Sequence, residues 1–448
     1  MWQSFTENLK NYVVALCCLC LALNLSACGS STDAAAGAGA ASGSTTAESA
    51  AAGFAGWSEA PLDVNAALPC NAGTSLAGDA ITGETYCEMP AHVRHGWWAR
   101  YIVGADGKNL CNAFGQYDNG KETGTFRLWH DSGKPAAIGN YAGGQKTGLW
   151  LTWFSSGSMA SRGNYAEGKQ DGGWQTWFAN GKQQSVANYV AGVQNGPAAT
   201  WYSDGTAETT SNYAEGKLDG AWQHWHMSGK LADEGKYSHG ARVGAWVFYH
   251  PNGAKEAVGD FVSGSQTGPW KTWNDDGTLD TEGTWAFGFA EGHYRKYAYG
   301  GPDGTTYSEG DMSLNQANGV WKEWTLDGKH QLSEVLFVDG KGSGKFHAWW
   351  VDGKDYAIGF YKSGFREGIW QWWFANGQKD AEGTYLAVKL PGGGYDSEKH
   401  DLWTQWWPSG QMKSKGTYAG GKKVLLWQFW DEKGNLTEEK YDAWGNKI

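Results

Sequence analysis

The stretch "DGGWQTWFANGK" (171–182) sets two indoles three residues apart between a glycine pair and an Asn-Gly. Variants stand at 147–158 ("TGLWLTWFSSGS"), 367–378 ("EGIWQWWFANGQ") and 400–411 ("HDLWTQWWPSGQ"). Aligned on the first ring, Phe126, Trp150, Trp174, Ala198, Trp222, Trp246, Trp270 and Tyr294 mark seven consecutive steps of 24 residues. Trp98 opens the series, and Trp321, Phe346, Trp370, Trp403 and Trp427 continue it in a slipped register, giving 14 units. Such a period is the signature of a repeat array, in which each unit buries its apolar face only against its neighbours.

Each unit carries two turn signals. Six and seven residues after the first ring comes Ser-Gly, Asn-Gly or Asp-Gly, as at Asn180-Gly181, Asn252-Gly253, Asp276-Gly277 and Asn376-Gly377. These dipeptides predict two-residue type I′ turns, whose positive φ angles match the twist of the flanking strands. The second signal is "AGG", "AEG" or "VSG" after an aromatic residue, as in 165–168. Segments of 6–8 residues lie between the turns, the usual strand length. Outside the N-terminus no segment has a helical period. The fold class read from this is all-β: tandem β-hairpins forming an elongated, twisted antiparallel sheet.

A two-residue loop places Trp150 opposite Gly163, Trp222 opposite Gly235, Trp246 opposite Gly259, Trp270 opposite Gly283, Trp370 opposite Gly383 and Trp403 opposite Gly416. An indole laid across its cross-strand glycine would shield the bare backbone. Tyr165, Tyr237, Phe261 and Tyr385 follow two residues after such glycines, on the same face by strand parity, and make that face the expected core. The second aromatic, three residues after the first, falls on the opposite face. It runs Trp129, Trp153, Trp177, Trp201, Trp225, Tyr249, Trp273, Tyr297, Trp324, Trp349, Trp373, Trp406 and Trp430. Its expected cross-strand neighbours are polar: Gln184 by Trp177, Asp280 by Trp273 and Asp380 by Trp373. Equivalent strands are two spacings apart, so this row is a ladder with steps of roughly 9–10 Å. Either the sheet curls so that both rows pack and the array is a rigid spacer, or the second row is a half-exposed strip that stacks on sugars or on another protein. The candidate binding residues are Trp153, Trp177, Trp201, Trp225, Trp273, Trp324, Trp349, Trp373 and Trp406.

Composition narrows the partners. The 448 residues carry 36 basic and 47 acidic groups, a net charge of −11, which argues against nucleic acid and anionic membrane surfaces. Aromatics at 15% are too many for a disordered chain, and 67 glycines with only 10 prolines and no triplet period exclude collagen.

The N-terminus reads as a targeting segment. An apolar run, "VVALCCLCLALNLSA" (13–27), follows Lys10 and has the shape of a secretory signal over 1–27. It ends in Leu25-Ser26-Ala27-Cys28, which resembles the lipobox of bacterial lipoproteins. That resemblance implies cleavage before Cys28 and acylation of Cys28. Gly29 and Ser30 follow, without the Asp linked to inner-membrane retention, so the resemblance points to the outer membrane of a two-membrane cell envelope. Residues 28–57 are Ala/Gly/Ser-rich and read as a tether spanning about 30 Å as a flexible coil. Then come an N-terminal cap (58–95), the array (96–436) and a C-terminal cap (437–448). Of the mature cysteines, Cys70, Cys87 and Cys111 allow three pairings. Cys70–Cys87, flanking a short Gly-rich stretch, is the expected disulfide in an oxidising compartment.

The unit "G-x-W-x-x-W-x-x-x-G…G-x-Y-x-x-G" resembles the MORN-repeat variant of bacterial proteins, including the YwqK-family antitoxins, over roughly residues 96–448. The resemblance implies stacked hairpins that serve as interaction scaffolds. An antitoxin role fits less well with a lipobox, which directs the chain out of the cytoplasm; a periplasmic immunity protein is the form it would take.

Chemistry is sparse. "GKGSGK" (340–345) lacks the Ser/Thr and the helix of a phosphate loop. His92 and His95, or His224 and His226, lack further ligands at metal-binding spacing. Asp204-Gly205 and Asp327-Gly328 miss the calcium-loop pattern. No nucleophile motif is present. The expectation is a non-enzymatic protein with no cofactor and no metal, binding a protein partner or a cell-wall glycan. Three departures from the consensus stand out: Ala198 in place of a ring, and extra residues around 300–310 and 386–400, which should form loops on one edge.

Overall fold

The computed structural model describes residues 68, 70–79, 83–103, 109–301, 304–389 and 395–448. The signal, Cys28, the tether and most of the first part of the cap lie outside them. The described chain is all-β, a single antiparallel sheet of 32 strands. Strands pair with their neighbours in sequence, from Ser75–Asp79 with Glu84–Met89 to Lys422–Trp430 with Leu436–Tyr441. No pairing joins the first strand to the last, so the sheet is open.

The type I′ geometry expected at the Asn-Gly turn is found at the other turn of the unit. At Asn180-Gly181, Gly181 N–H donates to Phe178 O at 2.9 Å and Phe178 N–H to Lys182 O at 2.8 Å. Only Gly181 has a positive φ, +84°. This is a type I turn closed by a glycine bulge, one residue longer than the expected type I′ loop. Asn180 is there for its side chain, whose Oδ1 accepts Lys182 N–H at 3.0 Å. The type I′ geometry sits at the other turn, where Glu167 (φ +50°) and Gly168 (φ +77°) lie between the paired residues Ala166 and Lys169.

The longer loop moves the second-row neighbours by one residue. Trp177 faces Gln183 rather than Gln184, Trp273 faces Leu279 rather than Asp280, and Trp373 faces Lys379 rather than Asp380. A register shift just before each of these rings absorbs the difference. The first-row pairings therefore stand as read: Trp150 with Gly163, Trp222 with Gly235, Trp246 with Gly259, Trp270 with Gly283, Trp370 with Gly383 and Trp403 with Gly416.

The rings themselves do not cover those partners. Trp150 lies over Gly139, eleven residues earlier, so closely that a Cβ there would come within 2.1 Å of the indole. Trp174 covers Gly163 in the same way, Trp246 covers Gly235, Trp270 covers Gly259, Trp370 covers Gly359, Trp403 covers Gly383 and Trp427 covers Gly416. The cause is a bulge between hairpins: Ile138 pairs with Leu151 but Asn140 with Thr147, and the skipped glycine receives the next unit's ring. The indole N–H then donates to the carbonyl just past the glycine, Trp150 to Asn140 O at 3.1 Å and Trp370 to Phe360 O at 3.2 Å. Each ring thus locks its unit to the one before it. Tyrosines fill in between, edge-on, with Tyr141–Trp150 centroids 5.2 Å apart and Tyr165–Trp174 5.1 Å.

Exceptions follow the same rule. Ala198, the missing ring, has Ala187 rather than glycine eleven residues earlier. Trp222 has Ser211 there; its N–H turns to Asp233 Oδ1 at 2.6 Å and the ring stays half-buried. The two insertions lengthen hairpin arms instead of forming loops on one edge. Phe289–Gly301 with Gly304–Ser313 extends at the Asn-Gly end, and Lys379–Lys389 with Tyr395–Trp406 extends at the other.

Candidate functional site

The two ring rows differ in how completely the protein satisfies them. In the first row, Trp150, Trp174, Trp246, Trp270, Trp321, Trp370, Trp403 and Trp427 are buried, and each indole N–H bonds a backbone carbonyl. In the second row, Trp153, Trp177, Trp201, Trp225, Trp273, Trp324, Trp349, Trp373 and Trp406 are all half-buried. The indole N–H groups of Trp177, Trp201, Trp225, Trp273, Trp349, Trp373 and Trp406 have no protein acceptor and are not closed off from solvent. Trp129 and Trp324 are exceptions, with buried N–H groups. A half-wet ring with a spare donor can stack on a partner and hydrogen-bond it at once.

Charged side chains run beside this row. Glu234 accepts from Gln223 Nε2 (3.3 Å) and Tyr249 OH (3.2 Å). Glu282 meets Lys271 and Arg295, each at 3.0 Å, and Arg295 reaches Glu309 at 2.7 Å. Burial alone would raise the Glu282 carboxyl, but the bonds from Lys271 and Tyr297 and the charges of Lys271 and Arg295 outweigh it and hold the group below the usual carboxylate range.

A second feature lies on the same face. From Val320 on, the residue before the first ring or its cross-strand partner is large and apolar in each unit, giving Val320, Leu336, Phe360, Ile369, Leu402 and Leu426, between 38% and 63% exposed, interspersed with Lys345, Thr384, Thr417 and Lys440. Earlier units hold Gly173 and Asn188, Ala221 and Lys236, or Ala245 and Asp260 at these places. The exposed large apolar residues at this position lie from Val320 onward, whereas Leu149, the large apolar residue of an earlier unit, is half-buried. Sequence reasoning centred on the rings passed over it, although the position just before each ring carried the signal.

Two of the units match a known repeat. The family model described as MORN repeat variant matches residues 366–387 and 402–419. No curated protein matches the chain. MORN repeats generally mediate protein or membrane interactions. Both matched MORN units lie within the stretch that carries the exposed stripe.

The remaining candidates are dispersed. Cys70 and Cys87 form a disulfide with Cα atoms 5.4 Å apart, and the buried Cys111 thiol donates to Ala113 O. Cys28 lies outside the described residues. His92 contacts Glu88 and His95 contacts Asp118, in separate pairs. His224 Nδ1 is 2.8 Å from Asp233. Residues 340–345 lead into an ordinary strand, Lys341–Trp349. Among the described residues no group of three or more His, Cys, Asp or Glu could hold a metal, and no helix is long and apolar enough to cross a membrane.

Proposed function

We propose that the chain is a non-enzymatic scaffold of the cell envelope, acylated at Cys28, held at the outer membrane on the 28–57 tether, and docking a protein partner on its second-row face. The observation that carries this reading is the exposed apolar stripe from Val320 to Leu426 beside half-wet indoles on that face. Large apolar side chains left in water along one row of a sheet face mark an interaction surface. The test is affinity capture from envelope extracts with the full chain and with a Phe360→Asn, Ile369→Glu variant. Loss of the captured protein in the variant supports the reading, and an unchanged set of captured proteins sinks it.

A second reading, an aromatic strip that binds peptidoglycan or surface polysaccharide, is favoured by the spare indole N–H groups. These suit the mixed apolar and hydroxyl surface of a sugar. Retention on purified cell wall that is lost with Trp177→Ala and Trp373→Ala, and kept with Ile369→Glu, would favour it over a protein partner.

A further inference from the structure

Consecutive second-row rings stand on strands two apart, about 9–10 Å from each other. The side chain between them belongs to the residue that pairs with the earlier ring. Between Trp373 and Trp406 that residue is Lys379. Its Nζ lies 6.0 Å from the Trp373 ring centroid and 5.7 Å from that of Trp406, within cation–π reach of both. Glu382 Oε2 accepts from the same ammonium at 2.5 Å. The fold thus already seats one cation between two ladder rungs.

Trp201 and Trp225 occupy the same two ladder positions in an earlier pair of hairpins, with a small residue where Lys379 stands. Trp201 pairs with Ala207, the position of Lys379. Thr210 takes the place of Glu382 and is exposed, so no carboxylate stands at that position. Ala199, across from Thr210, is also small. Glu234, one hairpin further on, is already engaged by Gln223 and Tyr249. The surrounding chain is acidic: residues 200–235 hold Asp204, Glu208, Glu215, Asp219, Asp233 and Glu234 against Lys217 and Lys230, with Lys182 of the preceding hairpin donating to Asp204 O.

We propose that the slot walled by Trp201 and Trp225 over Ala207 binds a quaternary ammonium group. A primary ammonium brings N–H donors that need a partner, which Lys379 finds in Glu382. A fully methylated one has none to satisfy, and its methyl groups fill the space that Ala207 leaves. A cation seated over Ala207 as the Lys379 ammonium is seated between Trp373 and Trp406 would lie about 6 Å from each ring, within cation–π reach of both. The acidic surroundings raise the local concentration of cations without supplying a competing ion pair. The site is read from ring spacing and the Lys379 precedent, and it stands apart from the docking of a partner on the apolar stripe.

The test is calorimetric titration of the full chain with tetramethylammonium chloride and with choline chloride, against sodium chloride at equal ionic strength. Saturable binding of both organic ions at one site is expected. Ala207→Lys should weaken it by about tenfold or more, because the new side chain occupies the slot as Lys379 does. Lys379→Ala should open a second site between Trp373 and Trp406, a gain that no loss of folding can imitate. Absence of saturable binding in the unaltered chain overturns the proposal, as does an Ala207→Lys chain with native circular dichroism that binds unchanged. Flotation with phosphatidylcholine vesicles, reversed by free choline, assigns the natural source to a lipid headgroup. Binding of free choline without flotation assigns it to a soluble ligand.

Discussion

Replacing Gly359 with alanine tests the interlock between units. A Cβ at that position would stand 2.1 Å from Trp370 Cδ2, where ordinary contact needs about 3.4 Å or more, so the ring must retreat by over an ångström. It has little freedom to do so. Trp370 is 1% exposed, stacks on Phe346 at 5.3 Å, meets Tyr361 edge-on at 5.1 Å and lies under the Arg366 guanidinium at 4.8 Å. Overpacking of this kind costs about 1–3 kcal/mol, and stretching the Nε1 bond to Phe360 O adds about 1 kcal/mol. We expect a local destabilisation of about 3 kcal/mol. Gly173→Ala is the control: its added Cβ would meet only Asn188 Oδ1, at 3.6 Å, on an exposed stretch. That change should stay within about 0.5 kcal/mol. Global melting is a poor readout because stability in repeat arrays is distributed over neighbouring units. Hydrogen exchange followed by mass spectrometry on peptides covering 355–373 is the assay, and about a hundredfold faster exchange is expected in the Gly359→Ala chain. Equal protection in the two variants would refute the interlock.

Four further outcomes are expected. Trp150→Phe should cost about 1 kcal/mol more than Trp177→Phe in local exchange measurements, because only the former removes a bond to a backbone carbonyl; equal costs would count against the difference between the rows. The carboxyl of Glu282 is depressed in the folded chain, so its contribution is present above the ordinary glutamate range and disappears as pH falls through the depressed value. Acidification should therefore loosen residues 271–309 in the native chain and do so less in Glu282→Gln, with a flat profile in both as the contrary result. Reducing Cys70–Cys87, which closes a loop across a sequence separation of 17, should lower the stability of the first hairpins by about 3 kcal/mol, seen as faster exchange in 70–103 and unchanged exchange beyond 200. Cys28→Ala should abolish labelling by radioactive palmitate, and persistent labelling would remove the lipid anchor from the proposal.

The fold was legible because the repeat fixes strand length and ring parity together. Trp150 opposite Gly163 follows from counting alone. Bulges escaped the count because those at Gln184, Asp280 and Gly139 fall on the strand opposite a ring, at polar residues or a glycine, where no apolar alternation is present to register the shift. Asn180-Gly181 and Glu167-Gly168 both allow positive φ, and only the hydrogen bonds around Phe178 and Lys182 decide which turn is type I′. The same blindness hid Trp150 over Gly139, because a ring's reach across a bulge depends on three strands and a hairpin drawn on paper has two. The candidate face was half legible: parity separated the rows, while the apolar residues from Val320 to Leu426 were readable at the position before each ring but were passed over because the count followed the rings.

Indole N–H exchange, resolved tryptophan by tryptophan by NMR, tests the division of labour between the two faces most directly. Slow exchange is predicted for Trp150, Trp174, Trp246, Trp270, Trp370, Trp403 and Trp427, and fast exchange for Trp177, Trp201, Trp225, Trp273, Trp373 and Trp406. Comparable protection in the two sets would contradict a locked core face backed by an open recognition face.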